Sequence, residues 1–148
     1  MIAEQKTASA AETISFARAF ASSLSRGDVI ALFGDLGSGK TQFVKGVCEA
    51  FHCKAAATSP TFVILNRYEG KTDSGEELLL YHLDLYRITS PVEIYDLGYE
   101  EYFRGSGITC IEWADMLGRL LPKRRYDVHC KYGEQENERI VQIELIED

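Results

Sequence analysis

The chain has 148 residues, 45% of them apolar and 26% charged, which fits one globular domain over residues 1–148 and leaves no room for two. No apolar run approaches the roughly 18–20 residues of a membrane span. Met1-Ile2-Ala3-Glu4-Gln5-Lys6 lacks the basic start and apolar stretch of a signal peptide, so the cytosol is the expected compartment. The net charge of −7 argues against a protein that grips nucleic acid by itself, because phosphate neutralisation supplies most of that affinity.

Ser9-Ala10-Ala11-Glu12 has the form of a capping box. Ile14, Ala17, Phe20, Ala21 and Leu24 follow at helical spacing, predicting a first helix that ends near Arg26-Gly27. Val29-Ile30-Ala31-Leu32-Phe33 is a continuous apolar run, the pattern of a strand buried on both faces, and it leads directly into a glycine-rich loop. Beyond the loop, Phe43, Val44, Val47, Cys48 and Phe51 mark a second amphipathic helix. Phe62–Tyr68 and Leu78–Leu83, joined through the turn Gly70–Gly75, read as an antiparallel hairpin. Ser90-Pro91-Val92-Glu93 combines an N-cap serine, a first-turn proline and a capping glutamate, and starts a helix to about Phe103. Arg104-Gly105-Ser106-Gly107 breaks it, and Ile108-Thr109-Cys110-Ile111 is a short buried strand ending at Glu112. A short helix around Met116–Leu121 and two strands, about Val128–Tyr132 and Arg139–Ile146, complete the chain. The order β-α-β-β-α-β with a final hairpin predicts an α/β fold: a P-loop NTPase-like three-layer sandwich whose partly parallel central sheet is extended by antiparallel strands and flanked by helices. Cys48, Cys53, Cys110 and Cys130 form no C-x-x-C pair and have no histidine at ligand spacing, which argues against a disulfide framework or a zinc site.

The chemistry centres on Gly34-Asp35-Leu36-Gly37-Ser38-Gly39-Lys40-Thr41, a complete match to G-x-x-x-x-G-K-[ST]. Its glycines let the backbone fold tightly and turn successive N–H groups toward one point, and the following helix adds the partial positive charge of its N-terminus. Lys40 is expected to reach the β- and γ-phosphates of a bound nucleotide, and Thr41 to ligate Mg²⁺ through its hydroxyl. A metal-side carboxylate at a neighbouring strand end has two candidates, Glu112 and Asp84, with Glu112 favoured by its short apolar strand. Ser59-Pro60-Thr61-Phe62 occupies the place of a switch-like loop, where Thr61 either senses the nucleotide or sits in a plain turn. His82-Leu83-Asp84-Leu85-Tyr86-Arg87 is rich in functional side chains; Arg87 either stabilises transferred phosphate or pairs with Glu93 or Asp96. Trp113 either fills the core or lines the nucleotide pocket. Lys123-Arg124-Arg125 is either a solvated turn or a phosphate contact.

Together, the Gly34–Thr41 loop, Ser59-Pro60-Thr61-Phe62, His82-Leu83-Asp84-Leu85-Tyr86-Arg87 and Ile111-Glu112-Trp113 resemble the TsaE (YjeE) family of bacterial P-loop ATPases, in order and in separation, from about residue 10 to the end. The resemblance implies an ATPase serving the threonylcarbamoyladenosine (t6A) modification of tRNA next to the anticodon. It implies protein partners, the TsaB–TsaD complex, with tRNA reached only through that complex. It further implies that Thr41 and Glu112 hold Mg²⁺, that Asp84 assists nearby, that Thr61 lies in a switch-like loop, and that Thr13 and Arg139 approach ATP. One departure is Ala114-Asp115 after Trp113, where the family commonly has proline. A small-molecule kinase would use the same cradle but needs an arginine-bearing lid, for which Lys123-Arg124-Arg125 is the only basic cluster. A guanine-nucleotide switch would need N-K-x-D, for which Gly70-Lys71-Thr72-Asp73 is a poor substitute.

Overall fold

The computed structural model describes residues 2–54, 65–96 and 98–147. The first half comprises β1 (Ala3–Thr7), α1 (Ala10–Ala21), β2 (Val29–Phe33), α2 (Lys40–Ala50), β3 (Leu65–Lys71) and β4 (Glu77–Asp84). The second comprises α3 (Pro91–Asp96), α4 (Tyr99–Arg104), β5 (Ile108–Glu112), two 3₁₀ turns (Ala114–Met116 and Gly118–Leu120), β6 (Arg125–Tyr132) and β7 (Arg139–Ile146). The strands form one seven-stranded sheet in the order β1-β7-β6-β2-β5-β4-β3. Its centre, β6-β2-β5-β4, is parallel throughout. Antiparallel partners extend it on both sides, β3 beyond β4, and β7 then β1 beyond β6.

The apolar strands are buried on both faces because helices cover both. Ile30, Leu32, Ile108, Cys110 and Val128 pack with Ala17, Ala21, Phe43, Val44 and Val47 of α1 and α2. On the opposite face Val29, Ala31 and Ile111 pack with Leu85, Ile88, Ile94, Tyr99, Ala114 and Leu117. This is the predicted three-layer α/β arrangement. Helices α1 and α2 touch closely at Gly46, where a Cβ would run into the Ile14 carbonyl and the Ala17 side chain. Phe43 is fully buried in this layer, and truncating such a ring to alanine costs about 3–5 kcal/mol.

Four local features differ from the sequence reading. Strand β1 is an edge strand of largely exposed residues, and it shows no apolar alternation because its hydrogen bonds come from β7. Helix α1 ends at Ala21, five residues before Arg26; the Ser22 and Ser23 hydroxyls donate back to the Ala19 and Phe20 carbonyls and close the last turn. The helix expected to run to Phe103 is split at Gly98, whose φ of 65° is left-handed. The helix expected around Met116–Leu121 is two 3₁₀ turns entered through Trp113, itself left-handed at φ 57°. Ser59, Pro60, Thr61 and Phe62 lie outside the described residues.

Because β2, β5 and β4 are parallel, their C-terminal ends share one edge of the sheet. Phe33 there leads into the Gly34–Thr41 loop, Glu112 ends β5 and Asp84 ends β4. Open α/β sheets place their ligand crevice at this edge.

Candidate active site

The loop is shaped by its glycines. Gly34, Gly37 and Gly39 adopt φ of 148°, 78° and 109°, and a Cβ on Gly34 would collide with the Cys130 carbonyl oxygen and with Ser38 Oγ. Gly39 hands the chain to α2, whose first residues are Lys40 and Thr41. Lys40 folds back into the loop: its Nζ donates to the Gly34 and Asp35 carbonyls at 2.5 and 2.9 Å. The same ammonium lies 4.0 Å from the centre of the Trp113 ring, a cation–π contact. Burial lowers its pKa, opposed by the Glu112 charge. Its direct contacts are two neutral carbonyls and an aromatic face, while the Glu112, Asp84 and Asp35 charges act on it through space.

Thr41 Oγ1 donates to both carboxylate oxygens of Glu112, at 2.9 and 3.0 Å. From the other side, His82 Nε2 lies 2.5 Å from Glu112 Oε2. Asp84 sits in register with Glu112 on the adjacent strand; its Oδ1 accepts the Tyr86 N–H at 3.1 Å. Burial raises the Asp84 pKa, and the nearby Glu112 charge adds to the rise.

Thr13 and Arg139 flank the loop. Their Cγ2 and Cγ atoms are those nearest a Cβ built on Gly39, at 3.8 and 3.9 Å. Thr13 is buried and its hydroxyl is tied to that of Thr7 at 2.7 Å. Arg139 donates from Nε and Nη2 to the Gly37 carbonyl at 3.3 and 3.1 Å and stacks on Tyr132, 4.7 Å from the ring centre. The Tyr132 hydroxyl donates in turn to the Leu36 carbonyl, while the Leu36 side chain is exposed. Thus Thr13, Lys40, Thr41, Asp84, Glu112 and Arg139 converge on one loop. His82 and Tyr132 join them, although sequence reasoning gave neither a role. The available signals were strand alternation, which puts His82 on the same face as Glu112, and the pairing of Tyr132 with Arg139 across β6 and β7. Trp113 packs against the core layer and places its ring beside the Lys40 ammonium.

The loop fits a phosphate chain with a divalent cation. Ser38 Oγ is buried without a hydrogen-bond partner among the described residues, an orphan donor in the loop that leads into the α2 N-terminus. The Thr41–Glu112 contact puts a hydroxyl and a carboxylate, both hard oxygen donors, together at the loop's end. By contrast, the basic cluster after Pro122 is neutralised in place: Arg124 pairs with Asp28 at 2.8 Å and with Glu147 at 3.4 Å, and Arg125 with Asp127 at 2.7 Å.

A parallel sheet whose central strand turns through this cradle into a helix, with an acidic residue ending the next strand, defines a P-loop-type α/β protein. A family model described as "Threonylcarbamoyl adenosine biosynthesis protein TsaE" matches residues 7–141. The tRNA threonylcarbamoyladenosine biosynthesis protein TsaE of Bacillus subtilis (strain 168) is 39% identical over 134 residues, covering 90% of this chain and 80% of that protein. The protein of the same name from Rickettsia bellii (strain RML369-C) is 43% identical over 122 residues, covering 81% and 80%. The crystal structure of YdiB from B. subtilis superposes with a TM-score of 0.75 at 33% identity, covering 97% of this chain and 85% of that one. The chain belongs to the TsaE family.

Proposed function

We propose that this chain is an ATP-binding, ATP-hydrolysing accessory subunit required for t6A modification of tRNA next to the anticodon. It acts in the cytosol with the TsaB–TsaD complex and meets tRNA only through that complex. The observation that carries the ATPase reading is the Thr41 hydroxyl on the Glu112 carboxylate, at 2.9 and 3.0 Å, beside the buried Lys40 ammonium. The role in t6A biosynthesis is the one named for the family and for its relatives.

In this reading the backbone N–H groups of residues 34–39 and the α2 N-terminus hold the phosphates, with Lys40 on the β- and γ-phosphates. Thr41 and Glu112 hold Mg²⁺, and Asp84 assists through a water or directly. Bound there, Mg²⁺ neutralises charge that develops on the phosphate oxygens. Thr13 and Arg139 border the nucleotide, and Thr61 belongs to a switch-like loop. Lys40, drawn off its carbonyl partners by an anion, needs little reorganisation because its ammonium is already desolvated. The kinase reading loses its lid, since Arg124 and Arg125 are both occupied by carboxylates, Asp28 just before β2 and Asp127 on β6.

The test is ATP hydrolysis by the purified chain alone, with TsaB–TsaD, and with tRNA, threonine and bicarbonate added. Slow turnover alone, stimulation by the partners and t6A-modified tRNA are the expected results. Stoichiometric phosphorylation of a small metabolite would replace this reading with the kinase one, and turnover that the partners leave unchanged would overturn the TsaB–TsaD part of it.

A further inference from the structure

Beneath the Thr41–Glu112 contact runs a second line of hydrogen bonds that the proposed ATPase reading does not use. Residues 66 and 68 of β3, 82 of β4 and 112 of β5 all point to the α2 side of the sheet, because β3/β4 and β4/β5 pair Asn66 with His82 and His82 with Cys110. Asn66 Nδ2 donates to the Tyr68 hydroxyl at 3.2 Å, that hydroxyl lies 3.4 Å from His82 Nδ1, and His82 Nε2 lies 2.5 Å from Glu112 Oε2. An ionised carboxylate only accepts, so the Nε2 proton faces Glu112. In the neutral imidazole Nδ1 is then the acceptor, with the Tyr68 hydroxyl donating to it and Asn66 Nδ2 donating to that hydroxyl. All donors in the line thus point toward Glu112.

The pair is closed off from water: the His82 side chain is 0% exposed and that of Glu112 is 4% exposed. A carboxylate in such a place needs fixed donors, and it has one below, His82, and one above, Thr41. His82 occupies Oε2 from the core side, which sets the rotation of the carboxylate plane and turns its remaining acceptor capacity toward the Thr41 end of the cradle. Imidazole donors behind a metal-side carboxylate orient it, and outer partners of this kind carry about 10–100-fold in metal affinity.

We propose that His82 is the positioning residue of this site: through its Nε2–H it holds the Glu112 carboxylate in the orientation that accepts a divalent cation beside a bound nucleotide, with Tyr68 fixing the ring. The inference rests on the reading of the cradle as a Mg²⁺–nucleotide site. It assigns His82 no contact with nucleotide and no proton transfer.

Two substitutions of similar polarity separate this role from simple packing. Glutamine places its amide nitrogen about where Nε2 lies, and asparagine places it about where Nδ1 lies. Thus His82→Gln keeps the donor to Glu112 and His82→Asn loses it. The probe is Mn²⁺ binding to the complex of the full chain with ADP, followed by electron paramagnetic resonance. Metal-free ADP affinity is read in parallel from the fluorescence of Trp113, the single tryptophan of the chain. The expected result is a loss of Mn²⁺ affinity of about tenfold in His82→Asn and less than about threefold in His82→Gln, with metal-free ADP affinity unchanged in both. Equal losses of Mn²⁺ affinity in the two variants, or a parallel loss of metal-free ADP binding, would overturn the assignment and leave His82 a packing residue. Should the asparagine chain not fold, the glutamine chain decides alone: a tenfold loss with its donor retained overturns the proposal, and near-native affinity supports it. A wild-type chain that binds no Mn²⁺ with ADP refutes the metal-site reading itself. Wild-type binding with indistinguishable variants refutes only the role of His82.

Discussion

The strands that end at Asp84 and Glu112 lie side by side with those two residues in register, yet their carboxylates are held in opposite ways. Glu112 is buried and gripped by a hydroxyl above and an imidazole below. Asp84 is only partly covered, accepts a backbone N–H from Tyr86, and faces the Glu112 charge with no side-chain hydrogen-bond donor among the described residues. Two acids that share one sequence pattern, a carboxylate after an apolar strand, are therefore held in different surroundings. A pinned carboxylate offers fixed geometry, whereas a loosely held one with a raised pKa offers adjustable charge at the cost of stability.

The strongest way to break this contrast is to remove the pinned side. Lys40→Ala and Glu112→Ala are each expected to reduce partner-stimulated ATP turnover by about 10³-fold, with the Glu112 variant also losing its response to added Mg²⁺. Steady-state phosphate release measures both. Wild-type turnover in Glu112→Ala would move the metal role to Asp84.

A smaller effect is expected at Asp84, where function and stability pull apart. Asp84→Asn should lower turnover about 10–100-fold while making the nucleotide-free chain more stable. The sign follows from the raised pKa. A carboxyl that titrates higher in the folded than in the unfolded chain penalises the fold fully above its folded pKa, and the penalty is relieved as pH falls through that value. Asparagine keeps an acceptor for the Tyr86 N–H and removes the penalty. Its melting temperature should exceed wild type by about 1–4 °C at neutral pH, with the gap closing toward about pH 4. A scan of melting temperature against pH that shows no gap, or one that widens on acidification, contradicts the account of Asp84.

The cradle was legible in the sequence because its glycines, lysine and threonine sit at fixed offsets between a buried strand and a helix, so spacing alone determines their meeting. Glu112 was legible as the stronger candidate for the metal side because its strand is short and largely apolar. What spacing cannot show is who lies across the sheet. His82 stands 30 residues from Glu112 and meets it only through the β4/β5 register. Arg139, 102 residues from Gly37, was placed near the site by family resemblance and not by its chemistry. Periodicity also misjudged the α3–α4 layer, since a left-handed Gly98 interrupts an otherwise continuous helical pattern. Strand β1 escaped because a polar edge strand takes its stability from the neighbour's hydrogen bonds.

Arg139 extends the contrast between pinned and loose groups to the rim of the site, and the smallest of the expected effects belongs there. Its guanidinium reaches the Gly37 carbonyl through two nitrogens, accepts the face of Tyr132, and is further tied to the Glu136 and Glu138 carbonyls at 2.8 and 2.9 Å. Each such neutral-acceptor bond is worth about 0.5–1.5 kcal/mol net, and an exposed cation–π contact about 0.5–1 kcal/mol. Arg139→Ala should therefore weaken ADP binding about 3–10-fold, as read from Trp113 fluorescence, without abolishing turnover. Arg139→Lys distinguishes two ways of producing that loss. A planar fork that shapes the loop is not replaced by an ammonium, so lysine would fare as badly as alanine. A bare charge attracting phosphate would be restored by lysine, and more completely at low salt. Because the guanidinium in this structure bonds the Gly37 carbonyl of the loop through two nitrogens, the expected outcome is that lysine fails to rescue, which makes Arg139 a support for the shape of Gly37 rather than a free cation at the mouth.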